Sequence, residues 1–130
     1  MEIPVLDFSK LEGEGRSETM ASLHDACAKW GFFMIENHGI DVELMRKVKL
    51  LVNWHYEENL KASFYDSEMA KNFENDGYIS DKDWESTYFI WHRPCSNINE
   101  LTSLSSDLRK AMDDYIDQLI KVAEKISELM

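Results

Sequence analysis

WGFFMIENHGI, residues Trp30–Ile40, sets four consecutive large apolar side chains between a glycine and an Asn-His-Gly triplet. Bulky apolar residues between such breakers describe a short strand. Because the apolar residues fall on both faces of that strand, it is expected to be covered on both sides. Asn37 and Gly39 tolerate positive φ, so the triplet is where the chain reverses. His38, between them, is expected to satisfy backbone groups in the turn. A metal ion would need a cluster of ligands that this stretch lacks.

Working back from this strand, Met20, Leu23, Cys27 and Trp30 recur at steps of three and four and mark one face of a helix. The pattern predicts a helix over residues 18–30, with Ser17 as its N-cap and Gly31 as its left-handed stop. IPVLDF, Ile3–Phe8, reads as a first strand, and LEGEGR after it as a polar turn. Forward of Ile40, Asp41 is placed to cap a second helix, with Glu43 in its first turn. Leu44, Met45, Val48, Leu51, Val52 and then His55 or Tyr56 form that helix's apolar stripe, continuing loosely to Leu60 and Phe64.

From Ser67 to Lys82 the periodicity disappears and a loop is expected. TYFIW, Thr87–Trp91, is β-branched and aromatic and precedes Pro94, which predicts a strand. SNINELTSLSS reads as a linker. In the final segment, Leu108, Met112, Tyr115, Leu119, Val122, Ile126 and Leu129 alternate steps of four and three. They predict a long amphipathic helix. No stop signal precedes Met130 and no upstream segment reads as long and apolar enough to cover the stripe, so the chain reads as cut short, and self-association through this helix is expected.

The 130 residues suffice for one modest domain. With 14 basic against 25 acidic residues, the net charge of −11 argues against nucleic acid and anionic membrane surfaces as partners. The first apolar run is too short for a signal-peptide core or a membrane span, so a cytoplasmic protein is expected. Two cysteines fit reduced thiols better than a disulfide framework, although a single bridge remains open.

No constellation of catalytic residues is visible. Non-haem iron sites often draw two ligands from an H-x-D, which does not occur. His55-Tyr56-Glu57 has the form H-x-E, but on a helix residues two apart point about 200° from each other. His24 and Asp25 are adjacent, again the wrong helical spacing, and the charge of Arg93 beside His92 disfavours a cation there. Each of these histidines therefore reads as a surface or turn residue. Cys27 falls on an apolar helix face, where a thiol is an inert small hydrophobe, and Cys95 is expected to be exposed. No G-x-S-x-G turn and no glycine-rich phosphate loop is present.

Two stretches resemble a known family. WGFFMIENHGI is similar to the W-G-F-F-x-x-x-N-H-G-I pattern near the N-terminus of plant Fe(II)/2-oxoglutarate-dependent dioxygenases. DWESTYFIWHRPCSNI, Asp83–Ile98, closely resembles the D-W-E-S-T-[FY]-F-[IL]-x-H-x-P-x-S-N-I segment of 1-aminocyclopropane-1-carboxylate oxidases. IPVLDFSKL, TMASLHDACAKWG, HYEENLKASFY and the last helix extend the resemblance over nearly the whole chain.

The resemblance implies an α+β fold: the N-terminal helices and short strands of a non-haem dioxygenase, residues 1–130, packing against a jelly roll beyond this chain. It implies oxidation of the small molecule 1-aminocyclopropane-1-carboxylate to ethylene, with Fe(II), ascorbate and bicarbonate or carbon dioxide as cofactors of the complete enzyme. The family's iron triad and substrate-carboxylate motif lie on the jelly roll. No catalytic residue, no metal ligand and no bound cofactor are therefore expected in this chain, which alone would be inactive. Alternation puts Thr87 and Phe89 on one face of their strand, and the resemblance implies that they line the substrate pocket. Two other readings stay open: a stand-alone interaction module or inactive truncated homologue, and a dioxygenase that does use 2-oxoglutarate.

Overall fold

The structure is a computed structural model and describes residues 2–61 and 90–130. By its contacts the chain divides into two compact units, Met1–Val42 with Ile116–Met130, and Glu43–Tyr115.

The first unit is built on a β-α-β arrangement. Strand β1, Val5–Asp7, lies parallel to β2, Met34–Glu36, with Val5 opposite Met34, Leu6 opposite Ile35 and Asp7 opposite Glu36. Parallel neighbours need a crossover. Here it consists of a 3-10 turn, Phe8–Glu12, and helix α1, Arg16–Lys29. Alternation along both strands turns Leu6, Phe33 and Ile35 inward and Val5, Phe32 and Met34 outward. Leu6, Phe8, Leu11 and Leu23 form the core, and Met20, Cys27, Phe33 and Ile35 pack against it.

The expectation that FFMI is covered on both sides is corrected: Phe32 and Met34 are 52% and 57% exposed. The described sheet has only two strands, with the core on one of its faces. Ser17 is not the cap of α1 either. The helix starts two residues earlier than expected, at Arg16 after Gly15, whose carbonyl accepts from Thr19 N at 3.0 Å and Thr19 Oγ1 at 3.0 Å. A Cβ at Gly15 would lie 3.1 Å from Lys10 Cβ, so the close return of the 3-10 turn explains a small residue at this corner. The stop at Gly31 is as expected: its φ is +74° and its N–H reaches the Ala26 carbonyl.

In the second unit, helix α2 is Val42–His55 and continues into a π-helical turn, Tyr56–Leu60. Leu44, Val48 and Leu51 are half-buried and His55 is buried, a stripe at steps of four and three, while Met45 and Val52 at its edge are exposed. A 3-10 turn, Ile98–Glu100, leads to helix α3, Ser106–Leu129, whose residues up to Tyr115 belong to this unit and those from Ile116 on to the first. Ser105 caps α3 by accepting from Leu108 N at 3.2 Å. Ile98, Leu104, Leu108 and Ala111 are buried. SNINELTSLSS is therefore no free linker: it buries Asn97, Ile98 and Leu104. The loop expected over Ser67–Lys82 lies outside the described residues, as do Thr87–Phe89 of the strand expected in TYFIW. Its last two residues, Ile90 and Trp91, are not in a strand.

The stripe of α3 is covered further than its sequence context suggests. Val122, Ile126 and Leu129 pack against the core of the first unit, and only Leu119, at 42% exposure, stands clearly open. A stripe of this width needs no long partner helix, because the apolar corner made by β1, its 3-10 turn and α1 receives one end of it. Two elements of three and five residues thus join α1 in supplying a cover that helical periodicity alone cannot reveal.

Candidate functional site

The reversal after β2 is assembled from local hydrogen bonds. Asn37 adopts φ +54° and Gly39 φ +82°. Asn37 Nδ2 donates to Asp7 Oδ1 at 2.8 Å, and the same oxygen accepts from Ser9 N at 3.0 Å and Ser9 Oγ at 2.7 Å. The Ser9 hydroxyl first, and then the Asn37 amide, hold the Asp7 carboxyl below its ordinary range. One carboxylate thereby ties the end of β1 to the turn that follows β2. His38 Nδ1 accepts from Ile40 N at 3.0 Å, and Ile40 is buried. His38 closes the turn through its own ring, in agreement with the reading of the sequence.

Asp41 N donates to Gln118 Oε1 of α3 at 2.8 Å. Beside this contact lies an open cleft of about 470 Å³ lined by His38, Gly39, Gln118, Lys121, Val122 and Lys125. Lys125 Nζ lies 3.4 Å from Glu12 Oε1 and 5.8 Å from the centre of the Phe8 ring. In the second unit, Asn97 clamps a loop that contains the cis Arg93–Pro94 peptide: Trp91 N donates to Asn97 Oδ1, and Asn97 N to the Trp91 carbonyl, both at 3.1 Å. His92 Nδ1 stands 3.5 Å from Asp113 Oδ1, an ion pair whenever the ring is protonated.

The two residues expected to line a pocket, Thr87 and Phe89, lie outside the described residues. His24 is exposed, and its neighbour Asp25 is held by Lys29 at 2.7 Å, which lowers the carboxyl's pKa. His55 departs from the expected surface or turn setting. It is buried, and Asn59 Nδ2 reaches both its Nδ1 and its carbonyl, at 3.3 and 3.2 Å. The amide gives a partner to polar atoms that burial takes out of water. Cys27 is half-buried against the core and Cys95 is exposed, both as free thiols.

Among the described residues no three His, Cys, Asp or Glu side chains come together as a metal-binding group. They do not fit the Fe(II) that the resemblance implies. No described helix is long and apolar enough to cross a membrane.

Two juxtapositions escaped the sequence reading. His92 and Asp113 are too far apart in sequence for any local signal to join them. The basic wall of the cleft did leave a trace, since Gln118, Lys121 and Lys125 stand at steps of three and four on α3. The apolar stripe is the stronger periodic signal on the same helix and masks it.

Comparison with known proteins places these elements. Residues 3–105 match the family described as non-haem dioxygenase in morphine synthesis N-terminal. The chain is 58% identical over 116 residues to 1-aminocyclopropane-1-carboxylate oxidase 1 of Arabidopsis thaliana, an alignment covering 89% of this chain and 37% of that protein. It is 42% identical over 130 residues to the 1-aminocyclopropane-1-carboxylate oxidase of Persea americana, covering 98% of this chain and 40% of the relative. With 1-aminocyclopropane-1-carboxylate oxidase 3 of Cucumis melo the identity is 38% over 131 residues, covering 100% and 41%. The chain spans about two fifths of the length of these relatives.

Proposed function

The chain belongs to the family of non-haem dioxygenase N-terminal domains, and on that premise we propose that it is the N-terminal part of a cytoplasmic 1-aminocyclopropane-1-carboxylate oxidase. The observation that carries this reading is the 58% identity to the Arabidopsis oxidase across 89% of the chain. In this reading the chain does no chemistry itself and supports an Fe(II) jelly roll, which oxidises 1-aminocyclopropane-1-carboxylate to ethylene with ascorbate as reductant. Exposed Val5, Phe32 and Met34 then supply an apolar face for the remainder of the protein, consistent with their position on the sheet face turned away from the core. Thr87 and Phe89 would face the substrate, and the Asn97 clamp on Trp91 would hold the end of their segment.

A chimaera tests the proposal. This chain replaces the matching residues of the Arabidopsis enzyme, and ethylene is measured by gas chromatography with 1-aminocyclopropane-1-carboxylate, Fe(II), ascorbate and bicarbonate. Ethylene formation dependent on the added substrate is expected. A folded, soluble chimaera that makes none beside an active parent would refute it.

A further inference from the structure

We propose that the cleft between the Asn37–Asp41 turn and α3 is a binding site for a small oxyanion of the carboxylate or phosphate class. The argument rests on which atoms are already committed. His38 Nδ1 accepts the Ile40 N–H, so this nitrogen carries no proton and the ring's hydrogen sits on Nε2. The imidazole therefore has a donor left, and no acceptor. Gln118 is committed in the same sense. A backbone N–H, that of Asp41, can only be met by the amide oxygen, which leaves the Gln118 NH2 as the free end of that side chain.

Two ammonium groups complete the wall. Lys121 and Lys125 follow Gln118 at steps of three and four, on the same face of α3. Lys121 is exposed and forms no ion pair among the described residues. Lys125 shares its charge with Glu12 at 3.4 Å, a long contact that leaves two of its hydrogens for another partner. The six lining residues include no carboxylate, although the chain carries a net charge of −11. Asp117 and Glu124 stand four residues before and three after Lys121, close enough along α3 to flank it, but neither lines the cleft. Both acids have partners of their own.

A wall that offers an imidazole N–H, an amide NH2 and two ammonium groups, and no carboxylate, matches the requirements of an oxyanion. Such a ligand accepts several hydrogen bonds and gains from positive charge. A neutral sugar or an alcohol would draw nothing from the two positive charges, and a cation would be repelled. The volume of about 470 Å³, open to solvent, admits anions from inorganic phosphate up to a small dicarboxylate. The site is independent of the proposed oxidase role, because it uses none of the residues invoked there.

The experiment is a nuclear magnetic resonance titration of the 130-residue chain, labelled with nitrogen-15, with sodium phosphate and separately with sodium malonate. Sodium chloride at matched ionic strength serves as reference. Saturable movement of the His38 ring and Gln118 side-chain amide signals is expected with at least one of the two oxyanions, and the one that saturates assigns the class. Lys121→Gln should weaken that binding roughly fivefold, the worth of one partly exposed charged contact. It should leave the melting curve unchanged, because Lys121 is exposed. Lys110→Gln, which removes a lysine outside the cleft, should leave the affinity unchanged. Shifts that merely follow ionic strength and recur with chloride would overturn the proposal, as would saturable binding that Lys121→Gln leaves intact.

Discussion

Replacing Ile126 and Leu119 separately by aspartate distinguishes a stripe covered from within the chain from one awaiting a partner. Ile126 packs against Leu6, Phe8, Leu11 and Leu23, whereas Leu119, seven residues earlier on the same stripe, is 42% exposed. A fully buried isoleucine or leucine contributes roughly 1.5 to 3 kcal/mol. Half-burial of Ile126 makes its apolar share about 1 to 1.5 kcal/mol, and a carboxylate pressed on an apolar cluster adds about 1 to 3 kcal/mol of desolvation. Ile126→Asp should therefore cost about 2 to 4 kcal/mol, a large part of a small protein's whole stability. Leu119→Asp puts its carboxylate in water and should cost about 1 kcal/mol or less. Urea unfolding followed by circular dichroism measures both, and light scattering at two concentrations reports the mass. The expected result is a marked loss for Ile126→Asp and a near-parental melt and mass for Leu119→Asp. Equal losses, or a fall in mass caused by Leu119→Asp alone, would show that the stripe is closed by a second copy.

Three further perturbations probe the turns. Asn97→Ala leaves the Trp91 N–H without its side-chain acceptor at a position only 6% exposed, and should lower stability by about 1 to 3 kcal/mol in denaturant titration. Gly39→Ala meets no atom within 4 Å but must hold φ +82°, so a loss of about 1 to 2 kcal/mol is expected from backbone strain alone; Gly13→Ala, in equally open space at φ −142°, should be neutral within about 0.5 kcal/mol. Asp7 has a carboxyl pKa below 3.8, so its contribution is complete above that pH and is lost as pH falls below it. Thermal melts across this acid range should therefore decline more steeply for the parent than for Asp7→Asn, and parallel declines would show that the hydrogen bonds to Asp7 do not favour its charged form.

What the sequence disclosed follows the range of its signals. The Asn-His-Gly reversal and the Gly31 stop depend on backbone preferences of single residues, and both stand where local chemistry puts them, at φ +54°, +82° and +74°. The helices were legible because burial repeats along them. Their edges were less so: α1 begins at Arg16 because a 3-10 turn folds back over Gly15, a contact between segments that a capping rule cannot see. The same limit explains the two largest departures. FFMI looked like a strand buried on both faces because its composition records every surface the strand was selected to meet, and only one of those faces is covered by described residues. The stripe of α3 looked orphaned because its cover is a corner shared by a three-residue strand, a five-residue 3-10 turn and one face of α1, a surface that no single segment announces. An exposed apolar strand face and a covered helix stripe, taken together, put open apolar surface on the sheet where the sequence pattern put it on the last helix. Val5, Phe32 and Met34 are therefore the residues at which a longer protein would be expected to continue the core.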